Sequence, residues 1–550
     1  VLLLGCEELM YAPLRLAVAL EEQLGDETEL RFSTTTRSPV LALDDPAYAV
    51  RTGISFPAHD GPAAAQEQTG RSPQTRAGEE SAGQAPAAET RYAYNVAPGS
   101  DAGRRFDAVI LVTDSTADTP ALHAPDGLLA QLADHTDRVL LAVLPSYVPL
   151  PPPLRGPDFS SYASDEIGWL LQDLSDAQLE TPTEEREEAI QSGGAHYAES
   201  LPVEYQPSAE YERLFHSALE TSAARVARAV GTVTETVLAE RGRHPRGTGK
   251  SQAAAARSGR AGRPGTGLPV LVSLARAGTP VGVLMRRWAQ HAHGLDLPHY
   301  AVSIVRGRGI DTNALRWIAA HHDPADVVFV DGWTGKGAIT RELAEALTPF
   351  EGFDPEIAVL ADPGGCVRTY GTREDFLIPS ACLNSTVSGL ISRTVLRADL
   401  VGPNDYHGAK CYRELAGSDF SHLFLDTVTA RFEDVRASVA EDVTALLASD
   451  RAPTWAGWQA VERICEEYDI GDVNLVKPGV GETTRVLLRR VPWKVLARRG
   501  AGSDLDHVRL LARQRGVPVE EVDQLPYSCV GLIHPRFTRG ATGADGRAAG

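Results

Sequence analysis

The stretch VVFVDGWTGKGA, residues 327–338, decides the fold class of this 550-residue chain. Its first four residues are apolar and favour a strand buried in a parallel sheet. Asp331 ends that run, and the glycine-rich turn after it leads into a helical pattern. Because ligands of open α/β sheets bind outside the carboxyl ends of the strands, we expect a binding site at this turn.

Similar units recur on both sides of this stretch. Strand candidates followed by a turn or a helix are LPVLVSLARAGTP (268–280), HYAVSIVRGRGID (299–311) and IAVLADPGGC (357–366). Nearer the N-terminus, the same character is found in VLLLG (1–5), ELRFSTTTRSP (29–39), FDAVILVTDS (106–115) and RVLLAVLPSY (138–147). Strands that alternate with helices predict parallel sheets, so the chain is predicted to be a multidomain α/β protein.

Composition limits the function classes. A net charge of -20 with a pI near 5.2 argues against a whole-protein polyanion binder, so any nucleic-acid contact must be local. The six cysteines include no CxxC pair, which indicates neither a zinc site nor a disulfide framework. No apolar run approaches the length of a membrane span, and we expect a cytoplasmic protein without membrane contact.

Changes in composition predict the domain boundaries. We expect a first α/β domain at 1–145 with a disordered insertion at 57–89, a central domain at 155–465, a small α/β domain at 472–536 and a disordered tail at 537–550. Helical patterns cover 184–193 and 208–238. The basic, low-complexity segment 241–267 is predicted to be a flexible surface loop, with a polyanion-binding arm as the alternative. The chain lacks an initiator Met, so either an upstream portion is missing or the start is non-standard.

The turn after Asp331 has the composition of an anion site. Glycines allow close backbone approach, and successive amides at a helix start favour a phosphate, although the spacing is not that of a P-loop. The residues predicted to form this cradle are Thr334, Gly335, Lys336 and Gly337. A tight turn without a ligand is the alternative.

Two other strand ends add cationic groups. The turn in VSLARAGTPVG (272–282) contains Arg276, Gly278 and Thr279, a combination that suits a pyrophosphate. The turn in VSIVRGRGID (302–311) contains Arg306 and Arg308, whose guanidiniums can bind phosphate or carboxylate with two hydrogen bonds. If the strands are parallel neighbours, these turns face one edge of the sheet; solvated arginines are the alternative.

A cysteine and a histidine suggest a different chemistry. Cys382 follows a proline turn and precedes a run, LNSTVSGLISRTV (383–395), that we expect to be helical, so a helix N-terminus would lower the pKa of its thiol. His407 follows about 25 residues later, with Asn404 and Asp405 beside it. A cysteine nucleophile with a histidine base is the set expected for peptide hydrolysis, although a free cysteine is more often a buried small apolar residue.

The first domain contains STTTRSPV (33–40) after a predicted strand. Hydroxyl groups and one guanidinium can bind a phosphate or a carboxylate, and the same residues can also cap a turn. The candidate residues are Thr35, Thr36, Arg37 and Ser38.

Three resemblances to known families follow from these motifs. TTRSP (35–39), with GCEELMYAPLRLA (5–17) and RYAYNV (91–96), looks like the TRSP domain, which usually follows a phosphoribosyltransferase domain in bacterial tellurite-resistance and stress-response clusters. From Phe159 to Cys465, the text FSSYASDEIGWLL (159–171), SLARAGTPVG (273–282), VFVDGWTGKGAI (328–339) and CLNSTVSGLISRTV (382–395) is similar to a phosphoribosyltransferase-like family that is also labelled cysteine protease StiP.

The phosphoribosyltransferase resemblance implies a mechanism. Mg2+ would bridge pyrophosphate oxygens, Asp331 would hold the ribose or the metal, the 334–338 turn would cradle the 5'-phosphate, and Arg276 with the 278–279 turn would take pyrophosphate. The sequence departs from that family where Gly332 replaces a second acid and where Lys336 and Ile339 replace hydroxyl residues. The StiP label implies a thiol protease instead, with Cys382 and His407.

The C-terminal text NLVKPGVGETTRVLLRRVPWKVLAR (474–498) resembles the small pelota-type RNA-binding domain. RNA recognition is therefore expected there, through a glycine-rich turn and a basic patch. Its candidate residues are Lys477, Gly481, Arg485, Arg489 and Arg490. The expected functions are a phosphoribosyltransferase-like enzyme that binds a phosphorylated ribose donor, a cysteine protease, or a non-catalytic stress module that binds RNA or nucleotides.

Overall fold

The structure is a computed structural model that describes residues 1–6, 9–25, 28–59, 89–145, 149–181, 198–204, 209–243, 267–489 and 491–534. These residues form two compact units, Val1–Pro149 and Leu150–Gly550.

The first unit is a small parallel sheet. Its four strands are β1 (Leu2–Gly5), β2 (Arg31–Thr34), β5 (Ala108–Asp114) and β6 (Arg138–Leu144), in the order β2-β1-β5-β6, and all their pairings are parallel. Strands β3 (Gly53–Pro57) and β4 (Thr90–Tyr94) form an antiparallel hairpin. The helices are α1 (Tyr11–Leu24), α2 (Pro120–His123) and α3 (Leu128–Ala133). Leu2 and Leu4 face one apolar cluster and Leu3 faces another, as the alternation of a strand requires.

A seven-stranded sheet forms the centre of the second unit. Strands β11 (Val270–Ala275), β12 (His299–Val305), β14 (Val327–Trp333), β15 (Ile357–Ala361) and β16 (Thr369–Thr372) are parallel, in the order β12-β11-β14-β15-β16. The short strands β7 (Gly168–Trp169) and β13 (Gly309–Ile310) pair with β12. This arrangement confirms the predicted α/β class with a central parallel sheet.

Helices cover both faces of this sheet. They are α4 (Ala209–Arg243), α5 (Thr279–His293), α6 (Thr312–His321), α7 (Ala338–Leu347), α8 (Ser421–Thr429) and α9 (Phe432–Ala448). The start of α6 is fixed by Asp311, whose carboxylate accepts hydrogen bonds from the amides of Asn313 and Ala314. Helix α5 ends at Gly294, which adopts the left-handed conformation typical of a helix C-terminus.

Short elements connect these layers. Two-residue strands are β8 (Gln172–Asp173), β9 (Glu180–Thr181), β10 (Leu201–Pro202) and β17 (Gly408–Ala409). The 3-10 helices are Ala102–Arg104, Pro324–Asp326, Pro379–Cys382, Ser385–Val387, Arg413–Ser418, Val473–Leu475 and Gly502–Leu505.

Residues 455–534, which we call the C-terminal module, form a second sheet in the same unit. Strands β18 (Val476–Pro478), β19 (Lys494–Arg498), β20 (Val519–Val522) and β21 (Cys529–Leu532) lie in the order β18-β21-β19-β20. The helices are α10 (Ala456–Glu467), α11 (Gly479–Arg489) and α12 (Asp506–Arg515).

Buried polar contacts join the C-terminal module to the parallel sheet. The carboxylate of Asp375 accepts hydrogen bonds from the amides of Val480 (2.9 Å) and Ser528 (2.7 Å). The Tyr527 hydroxyl donates to the carbonyl of Gly335 at 2.5 Å. Since buried polar groups are costly without partners, these contacts hold α11 in one position against the end of the sheet.

Several predicted boundaries need correction. Pro57 ends β3, and His59 is buried and bonded to the Ala117 carbonyl, so neither belongs to a disordered insertion; 60–88 lie outside the described residues. The predicted helix at 208–238 continues to Arg243 because Val233 and Val237 still pack in the core, and this continuation displaces the start of the predicted loop. Segments 184–193, 244–266 and 537–550 also lie outside the described part. Among the helices described, none combines the length and the apolar character needed to cross a membrane.

Candidate functional site

A cavity of about 350 Å³ lies where β11 and β14 end. The parallel sheet contributes Arg276, Asp331 and Trp333 to its wall, and α11 contributes Glu482 and Arg485. The rest of the lining is mainly apolar, with a few hydroxyl and amide groups: Leu274, Pro280, Val281, Ile304, Ile339, Leu360, Phe376, Ile378, Ser380, Leu383, Asn384, Val387 and Ser388. The place agrees with the rule for ligands of parallel sheets.

Asp331 is the acid at the end of the central strand. One of its carboxylate oxygens accepts a hydrogen bond from the Gly332 amide at 2.7 Å. Burial raises its pKa from 3.8 to about 7, against the smaller effects of that bond and of the Arg485 charge. Asp331 therefore changes its protonation state near neutral pH, and it can accept or donate a hydrogen bond there.

Arg276 lies on the turn between β11 and α5. Its guanidinium donates to the Ile391 carbonyl at 3.2 Å and lies 3.8 Å from the Glu204 carboxylate, and its side chain is 18% exposed. The peptide between Ala275 and Arg276 is cis. These contacts leave the rest of the planar guanidinium fork at the cavity wall, where it can bind an anion.

The turn after Arg276 needs a glycine for steric reasons. A Cβ at Gly278 would lie 2.3 Å from the Val330 carbonyl oxygen and 3.0 Å from the Asp331 Cα. Helix α5 begins at the next residue, Thr279, and this close approach seats its first turn against β14, the strand that contains Asp331. The turn thus brings Arg276 to the wall of the cavity, whereas Gly278 and Thr279, predicted with it, do not line the cavity.

The predicted phosphate cradle at 334–337 is closed in this structure. The Gly337 amide donates to the Thr334 hydroxyl, the Thr334 amide donates to the Ala361 carbonyl, and the buried Lys336 ammonium donates to the carbonyls of Val473 (2.7 Å) and Val476 (3.3 Å). Gly335 is covered by Trp333, Pro478 and Tyr527. In this structure the C-terminal module covers the turn and binds the Lys336 ammonium and the Gly335 carbonyl, so the 5'-phosphate cradle stays a prediction that these contacts do not support.

Arg306 and Arg308 also lie outside the cavity wall. Both are exposed after β12, and Arg308 lies 3.7 Å from Glu199. The predicted convergence of three turns is thus reduced to two, because only Ile304 of this third strand end reaches the cavity.

The predicted pair of Cys382 and His407 is not assembled. The ring Nδ1 of His407 is bonded to the Ser303 hydroxyl at 2.8 Å, its amide donates to Asp311, and no hydrogen bond joins it to Cys382 within the described ranges. Residues 383–395 form no α-helix and contain one short 3-10 helix, Ser385–Val387. Burial raises the pKa of the Cys382 thiol to about 12, so the predicted lowering of that pKa is wrong.

Four of the other five cysteines are no better activated. Burial raises the pKa of Cys366 to about 12 and that of Cys411 to about 11, and it also raises the pKa values of Cys465 and Cys529. No hydrogen bond between a cysteine and a histidine is found in the part of the chain that the structure describes.

The lining does not by itself form a magnesium site. Of the side chains that line the cavity, only Asp331 and Glu482 are carboxylates, and they come from different domains. Over all described ranges, no group of three or more His, Cys, Asp or Glu side chains is placed to hold a metal ion. Mg2+ is usually held by one or two carboxylates together with water and the phosphates of a substrate. These residues alone therefore do not fit a resident ion.

The N-terminal motif lies next to the hairpin of the first unit. Thr36 exchanges two backbone hydrogen bonds with Tyr92, and its hydroxyl accepts the Ser38 amide at 3.1 Å. Thr35 is buried, whereas Arg37 is exposed. Turn capping, the alternative to a ligand site, accounts for the contacts of Thr36 and Ser38.

The structure describes three of the five predicted RNA-binding residues in full. Gly481 and Arg485 line the cavity, and Lys477 lies on β18. The side chain of Arg489 and all of Arg490 lie outside the described residues. Arg485 is therefore not part of a solvent-exposed basic patch, because α11 turns this face towards the parallel sheet.

Sequence reasoning missed Trp333, Phe376 and Glu482 as cavity residues. Trp333 follows Asp331 by two positions on one strand, and the period of two could have indicated it. Phe376 and Glu482 reach the cavity through contacts between distant segments, which no local pattern shows.

Fold and cavity together define a multidomain α/β protein with a cavity between a parallel sheet and a small C-terminal module. A family model described as "Tellurite-like stress resistance cysteine protease StiP" matches residues 160–429, one for the PELOTA RNA binding domain matches 455–535, and one for the TRSP domain matches 1–132. A protein named "Cysteine protease StiP" from Acinetobacter baylyi is 35% identical over 389 residues, which cover 68% of this chain and 93% of that relative.

The chain thus belongs to the StiP family, and it combines the StiP region with a TRSP domain and a pelota-type domain. No solved structure shows significant similarity to it.

Proposed function

We propose that the cavity binds a phosphorylated ribose donor and that the protein acts as a phosphoribosyltransferase-like enzyme. The observation that supports this function best is that Arg276 and Asp331 line one cavity at the ends of adjacent parallel strands. A guanidinium and a carboxyl group in one cavity suit a molecule with both a diphosphate and sugar hydroxyls.

Each group has a separate role in this proposal. Arg276 takes the diphosphate, and Asp331 holds a ribose hydroxyl. Departure of the diphosphate from C1' is favoured by charge stabilisation, without a protein nucleophile. Mg2+ would arrive with the diphosphate as part of the substrate, since these residues form no ion site of their own.

Titration calorimetry of the full chain with phosphoribosyl pyrophosphate and Mg2+ tests this function. We expect measurable binding by the wild type and roughly a thirtyfold or greater loss with Arg276→Ala, because a hydrogen-bonded charge pair contributes about 2 kcal/mol or more. Asp331→Asn is expected to weaken binding less. Arg308→Ala, which removes an exposed arginine outside the cavity, is the matched control. Absence of heat from the wild type would remove the proposal.

Thiol-dependent peptide hydrolysis at Cys382 is the second candidate. Two observations favour it: the name of the Acinetobacter relative, and the position of Cys382 between Ala381 and Leu383, which both line the cavity. In this candidate Cys382 is the nucleophile, and His407 has to approach it through a rearrangement of segment 375–395.

Alkylation by iodoacetamide between pH 6 and 10 separates the two candidates. With a thiol pKa near 12, Cys382 is expected to react roughly a thousandfold more slowly at pH 7 than a free thiol does. Cys465, which is partly exposed, serves as the internal comparison. A Cys382 that reacts as fast as a free thiol at pH 6 would favour the protease.

RNA is the proposed partner of the C-terminal module, on the strength of the pelota-type match. Arg498 and Arg499 at the end of β19 are exposed, so they are the arginines of that segment that we propose for phosphate contacts.

A further inference from the structure

We infer that the C-terminal module recognises the ligand of the cavity, with Arg485 and Glu482 as specificity residues. Arg485 shares an anionic group of the ligand with Arg276, and Glu482 accepts a hydrogen bond from a hydroxyl or amino group. This inference rests on the proposed function and names what the second wall of the site adds to it.

Glu482 and Arg485 lie three residues apart on α11, so their side chains share one face of the helix. Both side chains line the cavity opposite the strand ends. Hydrogen bonds fix the position of this helix face. The Val480 amide donates to Asp375, and the Thr484 hydroxyl is bonded to the Val480 carbonyl (2.7 Å) and to His507 (2.8 Å). Helix α11 therefore presents the two groups in a defined place.

Arg485 lies near the carboxyl groups of Glu482 and Asp331, which favour its charge. Its Nε is buried and has no hydrogen-bond partner among the described residues. Burial lowers its pKa, and the nearby charge of Arg276 lowers it further. The guanidiniums of Arg276 and Arg485 both line the cavity, and their like charges repel each other. Because Asp331 beside them is neutral in part near pH 7, an anion between the two guanidiniums is favoured.

Glu482 and Trp333 add two further unpaired atoms, one that needs a hydrogen-bond donor and one that needs an acceptor. Glu482 Oε2 and Trp333 Nε1 are both buried and lack partners within the described ranges. The carboxylate oxygen needs a donor, and the indole N–H needs an acceptor. A ligand that satisfies all three unpaired atoms carries acceptor oxygens and at least one donor group, as a phosphorylated sugar with free hydroxyls does and fully ionised inorganic pyrophosphate does not.

Calorimetry on the full chain with two probes, phosphoribosyl pyrophosphate plus Mg2+ and inorganic pyrophosphate, tests the inference. Arg485→Ala is expected to weaken both ligands about tenfold or more, and Arg485→Lys to recover part of that loss. Glu482→Gln is expected to weaken the sugar ligand while pyrophosphate binding stays unchanged or improves. Arg513→Ala, which removes an exposed arginine on α12 of the same module away from the cavity, should leave both affinities unchanged.

The outcomes separate the two hypotheses. Wild-type affinity of Arg485→Ala for both probes overturns the role of Arg485, and a parallel loss of both probes in Glu482→Gln overturns the role of Glu482. If the wild type binds pyrophosphate but not the sugar donor, the proposed function fails, and Arg485 is judged on pyrophosphate alone. If it binds neither, both proposals fail. The partial recovery with Lys distinguishes lost recognition from a displaced module.

Discussion

Asp375→Ala is expected to loosen the C-terminal module at a cost of about 3 kcal/mol. The substitution leaves the amides of Val480 and Ser528 buried without an acceptor. Burial penalises the charge of Asp375, as its pKa of about 6 indicates, and removal of that charge offsets part of the loss. The two unpaired amides and the missing volume still exceed this gain.

Hydrogen exchange measures the effect where it occurs. Peptides that contain Val480 and Ser528 should exchange roughly a hundredfold faster in the variant, while peptides from the central strands β11 and β14 keep their rates. Asp375→Asn keeps one acceptor oxygen and should give an intermediate rate. Glu521→Gln changes an exposed carboxylate of the same module and is the control. Equal exchange in Asp375→Ala and the wild type would contradict the role of this contact.

Gly278→Ala is the second change with a large expected effect. The added methyl would meet the Val330 carbonyl oxygen at 2.3 Å and the Leu274 amide nitrogen at 3.1 Å, and both are main-chain atoms of the sheet. Helix α5 would have to move away from β11 and β14, at a cost of about 3 kcal/mol. We expect a lower melting temperature and loss of pyrophosphate binding, since Arg276 moves with the turn.

Gly417→Ala is the matched control for this substitution. No atom outside the immediate chain neighbours lies within 4 Å of a Cβ at that position. It therefore tests the general effect of replacing glycine in a 3-10 segment. A Gly278→Ala protein as stable as this control, with unchanged ligand binding, would show that the close approach of α5 to β14 has no importance.

The class of the fold could be predicted because its signals are local. Val327, Val328, Phe329 and Val330 form a continuous apolar run, and such a run between turns is typical of a parallel strand covered on both faces. The segment 383–395 was predicted wrongly as a helix. Val387, Ile391 and Val395 of this segment are buried in the core without a helix between them. Tertiary packing therefore overrides the helical spacing.

The site could be predicted only in part. Arg276 and Asp331 lie at strand ends, where the topology rule applies, and the structure brings them to one cavity. Lys336 has the composition of a phosphate ligand, yet its ammonium serves the carbonyls of Val473 and Val476, about 140 residues further along the chain. Local sequence does not contain that contact, because it depends on where the C-terminal module docks.

The order of the cavity residues along the chain has a consequence for biosynthesis. Arg276 and Asp331 are made before Glu482 and Arg485, which follow later in the chain on α11. A ribosome-bound chain that has folded its parallel sheet therefore presents an open, one-sided cleft with an uncovered Trp333 and Phe376. Until α11 emerges and docks, chaperones that shield apolar clefts have a target at this place, and ligand affinity should develop only after docking.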